Sequence, residues 1–370
     1  MILYIIFIVV VWILCVLNDL RKFGIGFTMT AILVYLGIVA FRPAVTPDQE
    51  FYRNLVYSVT IEHNLPNISE VLRFEVGFAY LIYYGSELFG GSERLTLLIP
   101  AAINTFIFIF FSWKIYNLWL REGETGIGVD LVSGGFSILS FLLIYLGYYG
   151  TMYNFCVLRA GISISLLYGG LYFSLLGRRY SAFLLSCCFI ALSLLFHRSA
   201  IIGIIPWQII LWSRPARKGL YIGAWVFMIS FYLLRLDKYV VALDLNSLLG
   251  LSENKDESLF GSYWVRNEVW ADRYSFRILF YIIVYGFLLL VPNRNQIHCK
   301  IFNLQTLGMV AMAIFGNMNA AARIVDFSIL FTPILVYMGL KHIREKFMRA
   351  ALFSAFLALD LTFTLRLIDR

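Results

Sequence analysis

Charge is scarce in this chain. Asp, Glu, Lys and Arg make up 14% of its 370 residues, against about a quarter in soluble domains. A water-solvated globular surface is thereby excluded as the main environment. Short segments of strictly alternating polarity are also missing, which excludes a membrane β-barrel. The five cysteines, Cys15, Cys156, Cys187, Cys188 and Cys299, show no metal-ligand spacing. Four lie in or beside apolar runs, so they read as packing residues with no disulfide framework and no metal. The opening stretch, "MILYIIFIVVVWILCVLNDLRK", has neither a leading basic patch nor a small-residue cleavage site. It reads as an uncleaved first span. No internal repeat and no soluble domain stand out, so residues 1–370 read as one integral membrane domain.

What the chain does contain is long apolar runs. Hydrophobic residues are 61% of the sequence. Lipid cannot satisfy free backbone groups, so such runs cross as helices of about 20 residues. Candidate spans cover residues 2–17, 27–41, 95–118, 131–148, 153–176, 182–196, 200–212, 220–234, 278–291, 301–315, 327–340 and 350–365. The fold class is therefore all-α: a polytopic helical bundle of about 12 crossings. The formal charge of +8 is carried mostly by short inter-span loops and reads as topology rather than nucleic-acid binding. Arg21-Lys22, Arg178-Arg179, "SRPARKG" (213–219), Arg294 to Lys300 and "KHIREK" (341–346) fall on the cytoplasmic side by the positive-inside bias. Two larger loops, 42–74 and 235–277, then face outward. The segment "FEVGFAYLIYYGSELFGG" (74–91) is weakly apolar and carries Glu75 and Glu87. A re-entrant or interfacial helix there keeps every basic loop inside.

Ionisable residues within or beside spans cost several kcal/mol unless paired or hydrated, which makes each a functional suspect. Arg159 reads as about two turns into a helix, followed by the small residues Ala160, Gly161, Ser163 and Ser165. These allow close helix packing, although snorkelling toward headgroups is the plain alternative. His197 and Arg198 interrupt "SLLFHRSAIIGIIPW" (193–207) at a tight outer turn. Arg323 stands near Asn317, Asn319 and Asp326, with an Arg323–Asp326 pair as the simplest role. Arg42 opens "FRPAVTPDQEFYRN" (41–54), ahead of Asp48, Glu50 and Tyr52, in what reads as an ordinary loop turned by Pro43 and Pro47. Arg42, Arg159, His197, Arg198 and Arg323 all fall on one side of the membrane. Guanidinium forks pair bidentately with phosphate oxygens and stay charged, so the set suits a pyrophosphate headgroup. In the second loop, Trp264 and Trp270 interleave with Arg266, Glu268 and Asp272. That is either a glycan-stacking platform or an interfacial aromatic helix.

The order of these features resembles the O-antigen and exopolysaccharide polymerases of the Wzy/EpsG type. The resemblance rests on Arg42, Asp48 and Tyr52, then Glu75 in "FEVGF", Arg159 before small residues, His197 in "FHRSA" and Arg323 in "ARIVDF". It implies a GT-C-like glycosyltransferase of the bacterial inner membrane. Such an enzyme joins undecaprenyl-pyrophosphate-linked oligosaccharide repeat units at the periplasmic face, with no nucleotide sugar, metal or other cofactor. Membrane lipids and possible chain-length regulators are the partners implied. On this reading Arg159 and Arg323, with Arg42 or Arg198, hold the leaving pyrophosphate. Glu75 is the first choice of general base, with His197 and Asp48 as alternatives. Tyr52, Trp264, Arg266 and Trp270 contact the glycan. An O-antigen ligase or a flippase for lipid-linked sugars is the rival reading.

Overall fold

The computed structural model describes residues 2–41, 47–62, 75–124, 136–176, 180–198, 200, 201, 208, 212–236, 271–290, 295–315 and 330–368. In chain order the α-helices are α1 (Ile2–Leu17), α2 (Ile25–Ala40), α3 (Pro47–Glu62), α4 (Val76–Leu88), α5 (Glu93–Glu124), α6 (Ile138–Tyr145), α7 (Leu158–Leu175) and α8 (Tyr180–Phe196). They continue with α9 (Lys218–Leu233), α10 (Ala271–Leu290), α11 (Gln296–Phe315), α12 (Thr332–His342) and α13 (Lys346–Ile368). No strand occurs among the described residues, so the all-α expectation holds.

The surface explains why these helices need lipid. On α1, Tyr4, Phe7, Ile8, Val11 and Cys15 are buried, yet the opposite face presents Ile2, Leu3, Ile6, Val10 and Ile13. A helix apolar on both its packed and its open face belongs in hydrocarbon. Three described segments, Glu93–Glu122, Leu158–Leu175 and Gln296–Ile314, are long and apolar enough to cross, and shorter apolar helices accompany them. The chain is a helical membrane protein.

The chain divides into two compact units, Met1–Ala200 with Leu340–Arg370, and Ile201–Gly339. In the first, α7 is the central element and packs most extensively against α8 and α5. Its residues from Ala160 to Leu171 are all buried. The small side chains permit this approach, and hydroxyls bind the helices together. Ser163 Oγ lies 2.7 Å from Ser193 Oγ, and Ser186 donates to the Gly170 carbonyl at 2.9 Å. Such interhelical bonds are worth about 0.6–2 kcal/mol each in a membrane. The same unit ties α1 to α13: the buried Arg349 guanidinium pairs with Asp19 and donates to the Ile343 carbonyl at 2.6 Å, while Lys341 donates to the Leu20 carbonyl at 2.9 Å. In the second unit α9 packs on α10 and α11. Tyr221 donates to Asn303 at 2.6 Å, and Trp225 donates to the Ile282 carbonyl at 3.0 Å.

Two departures from the sequence reading matter for the site. First, the stretch read as an ordinary loop at 42–74 carries α3. Pro47 starts the helix where its missing N–H costs nothing, and the buried Tyr52, Leu55, Val56 and Val59 recur at helical spacing to form its packed face. Second, the span read as one helix from 153 to 176 is broken near its start. After α6 come two π-helical turns, Leu146–Gly150 and Met152–Cys156. Val157 then leaves helical geometry at φ −119° and ψ 67° before α7 begins. Broken backbone inside a membrane needs internal partners, and the sequence supplies them. Tyr4 and Thr151 both donate to the Leu146 carbonyl, at 2.6 and 3.0 Å. Asn104 donates to Tyr145 and to Asn154, and Asn154 donates to Tyr35 and to Thr105, all within 2.6–2.8 Å.

Candidate active site

That break decides where Arg159 sits. Rather than lying two turns inside a helix, it occupies the first turn of α7, because Val157 ends the preceding segment. Gly161 holds this turn down: a Cβ there would lie 2.8 Å from both the Asn104 amide nitrogen and the Tyr153 carbonyl oxygen. The polar network around Asn104 and Asn154 thus sets the height at which Arg159 leaves the bundle. Its side chain is 18% exposed, which places it inside the bundle at the edge of solvent rather than extended toward headgroups.

Three other elements deliver partners to the same place. Glu75 caps α4, and its side chain makes no capping hydrogen bond to that helix. It turns instead to Arg159, whose Nη1 donates to Oε2 at 2.7 Å. The second carboxylate oxygen, Oε1, lies 3.5 Å from Nδ1 of His197, at the long limit of a hydrogen bond. His197 follows the last residue of α8 and is buried, its backbone N–H still donating to Ser193. From α3, the buried Tyr52 rests its ring on Phe78 at 5.1 Å and sets its hydroxyl beside Arg159. The outcome is a buried cluster of one guanidinium, one carboxylate, one imidazole and one phenol, drawn from four elements of the first unit.

Backbone strain marks the centre of the cluster. Glu75 has φ 58° and ψ 145°, a conformation that glycine tolerates and other residues enter at a cost of about 1–3 kcal/mol. Two contacts hold it there. One is the ion pair. The other is the seating of α4 on α8, where a Cβ on Gly77 would come within 2.9 Å of the Leu195 carbonyl oxygen. Gly77→Val should therefore push α4 off α8, draw the carboxylate away from Arg159 and His197, and cut product formation by at least tenfold while the protein still purifies as a monodisperse peak. Turnover compared at matched amounts of folded protein checks this.

Electrostatics follow from the geometry. Burial by itself would push the Glu75 carboxyl up, but the hydrogen bond from His197 and the charge of Arg159 outweigh it, and the group is held below the ordinary carboxylate range. Glu75 is thus an anion at neutral pH. Because its folded value is the lowered one, the stabilisation it brings is present above the ordinary range and is lost as pH falls through the lowered value.

Of the residues singled out from sequence, Glu75, Arg159 and His197 meet in this cluster. Arg198 follows His197 and is exposed. Asp48 lies in the first turn of α3. Tyr52, read from sequence as a glycan contact, is buried against Phe78 and serves the Arg159 side of the cluster. Arg42, Arg323, Trp264, Arg266 and Trp270 lie outside the described residues. Sequence reasoning missed Gly77, Asn104 and Asn154. Gly77 had a signal, two positions after Glu75; the asparagines are uncharged and vanish into apolar averages. No group of three or more His, Cys, Asp or Glu side chains able to hold a metal occurs among the described residues.

Residues 25–369, nearly the whole chain, match the family model of the EpsG family. The chain belongs to the EpsG family. EpsG is a family of Wzy-type polymerases, and membership makes this protein a polysaccharide repeat-unit polymerase of the glycosyltransferase type. No curated protein and no solved structure matches it.

Proposed function

We infer that this EpsG-family polymerase joins undecaprenyl-pyrophosphate-linked oligosaccharide repeat units at the periplasmic face of the inner membrane, using protein side chains in place of a metal. The observation that carries the reading is the Arg159–Glu75–His197 cluster, buried where α7 begins and α8 ends. In the reaction, an acceptor sugar hydroxyl attacks the anomeric carbon of a lipid-linked unit. The new C–O bond forms as the bond from that carbon to the pyrophosphate oxygen breaks, and undecaprenyl pyrophosphate leaves with the electron pair. The hydroxyl proton passes to the Glu75–His197 pair.

Each residue type has a reason in this scheme. The leaving pyrophosphate gathers negative charge, which a preorganised guanidinium stabilises most when water is excluded. Arg159 is preorganised by Glu75 and Tyr52, and its position in the first turn of α7 adds the positive end of a helix dipole, which favours anions. Arg323, Arg42 and Arg198 are proposed as further phosphate contacts. Asp48 is retained as an alternative base, and Trp264, Arg266 and Trp270 as glycan contacts, while the buried Tyr52 acts through Arg159.

The test is reconstitution of the purified protein with one lipid-pyrophosphate-linked repeat unit, in chelator and without nucleotide sugar. A ladder of products is expected. A product ladder that appears only with added nucleotide sugar or divalent metal overturns the reading.

A further inference from the structure

Arg159 needs an anion, and Glu75 is that anion. The carboxylate presents one oxygen to Nη1 at 2.7 Å, the geometry a phosphate oxygen would take on the same guanidinium. It does so from a backbone conformation that favours glycine, with φ at 58°. Its other oxygen is already within 3.5 Å of His197 Nδ1. The group can therefore release Arg159 without losing every partner, and release would relieve the backbone. Tyr52, meanwhile, stays beside Arg159, and Gly77 lets α4 sit close on α8.

Resting on the polymerase reading above, we propose that Glu75 is a resident stand-in for the donor's phosphate: the lipid-linked pyrophosphate displaces it from Arg159, and only then is the carboxylate turned wholly to His197 and the acceptor hydroxyl. The proton acceptor is thus kept neutralised by the cation until a donor occupies the site. Until a donor arrives, carboxylate and guanidinium neutralise each other, which discourages attack by water on a half-bound donor.

A competing internal anion has a signed consequence for binding. Removing it should make donor binding tighter while making the chemistry worse. Binding of undecaprenyl pyrophosphate to the full-length protein in lipid nanodiscs would be measured for wild type, Glu75→Gln, Glu75→Asp and Arg159→Gln, and for Arg159→Gln combined with Glu75→Gln. A charge-assisted hydrogen bond of ordinary strength predicts about tenfold tighter binding by Glu75→Gln. Glu75→Asp keeps the charge but withdraws it from Arg159, and it should also bind more tightly; a purely long-range charge effect would leave it unchanged. In the Arg159→Gln background the Glu75→Gln gain should vanish. Should Glu75→Gln fail to give a monodisperse protein, Glu75→Asp carries the same test. Wild-type binding that both substitutions leave equal or weaken overturns the proposal alone, because Glu75 would then only be positioning Arg159. Absence of saturable binding in every form overturns the polymerase reading together with the proposal.

Discussion

Arg159→Ala should abolish polymer while leaving single repeat units on the final acceptor in cells. Loss of one preorganised donor to a developing anion lowers turnover by about 10²–10³-fold. The same substitution also strips Glu75 of its cation. A buried charge left without its partner costs about 3–5 kcal/mol, an upper range here because the Glu75 side chain keeps 10% exposure and retains His197. Arg159→Lys separates the two effects. It preserves the charge facing Glu75 and so the fold, but a point ammonium cannot reproduce the planar fork on a phosphate. Its melting temperature should stay near wild type while polymer shortens severely. Arg323→Ala is expected to give the same loss of polymer, as the second arginine proposed to hold the phosphate. Chain-length profiles on gels, at matched expression and alongside thermal melts, check all three. Near-normal polymer from Arg159→Ala would remove this residue from the mechanism.

The order and type of the main helices were legible because lipid imposes a single rule on the chain. A run that is apolar on every face for five turns can only be a span or a deeply buried helix, so α1, α2, α5 and α8 start and stop within a few residues of the runs that announce them. Where the rule weakens, the reading failed. The polar side of α3 carries Glu50, Arg53 and Asn54, which lowers its mean hydropathy to that of a loop. Its buried stripe of Tyr52, Leu55, Val56 and Val59 is visible only when periodicity is weighed above average polarity. The break at Val157 was hidden for the opposite reason. Valine is apolar, and π-helical turns keep the composition of a helix, so nothing in a hydropathy window marks the point where α7 restarts. The cluster itself was half legible. A charge within an apolar run is conspicuous in any sequence, which is why Glu75, Arg159 and His197 stood out. Their pairing was not, since Glu75 and Arg159 are 84 positions apart and meet only through the packing of α4 on α8 and of α7 on both α5 and α8.

His197→Asn and Glu75→Gln should each lower turnover by about 10²–10⁴-fold, the usual contribution of a positioned base. The two residues share one proton path, so the double variant should be scarcely worse than either single one; groups acting as a unit are grossly non-additive. What separates them is the apparent affinity for donor. His197 touches the far oxygen of the carboxylate, and its loss leaves the Arg159–Glu75 pair closed, so KM should hold steady as kcat falls. Glu75→Gln opens Arg159, so KM for the lipid-linked donor should fall along with kcat. A merely structural role for Glu75 predicts the reverse, a raised KM with kcat following the fraction of folded protein. Acid should act on the two single variants differently from wild type. Wild type holds Glu75 ionised below the ordinary carboxylate range because Arg159 and His197 both favour the anion. Removing His197 takes away one of those supports, so the His197→Asn protein should lose both thermal stability and residual activity at a higher pH than wild type does. Glu75→Gln, with no carboxyl to protonate there, should show no such added sensitivity.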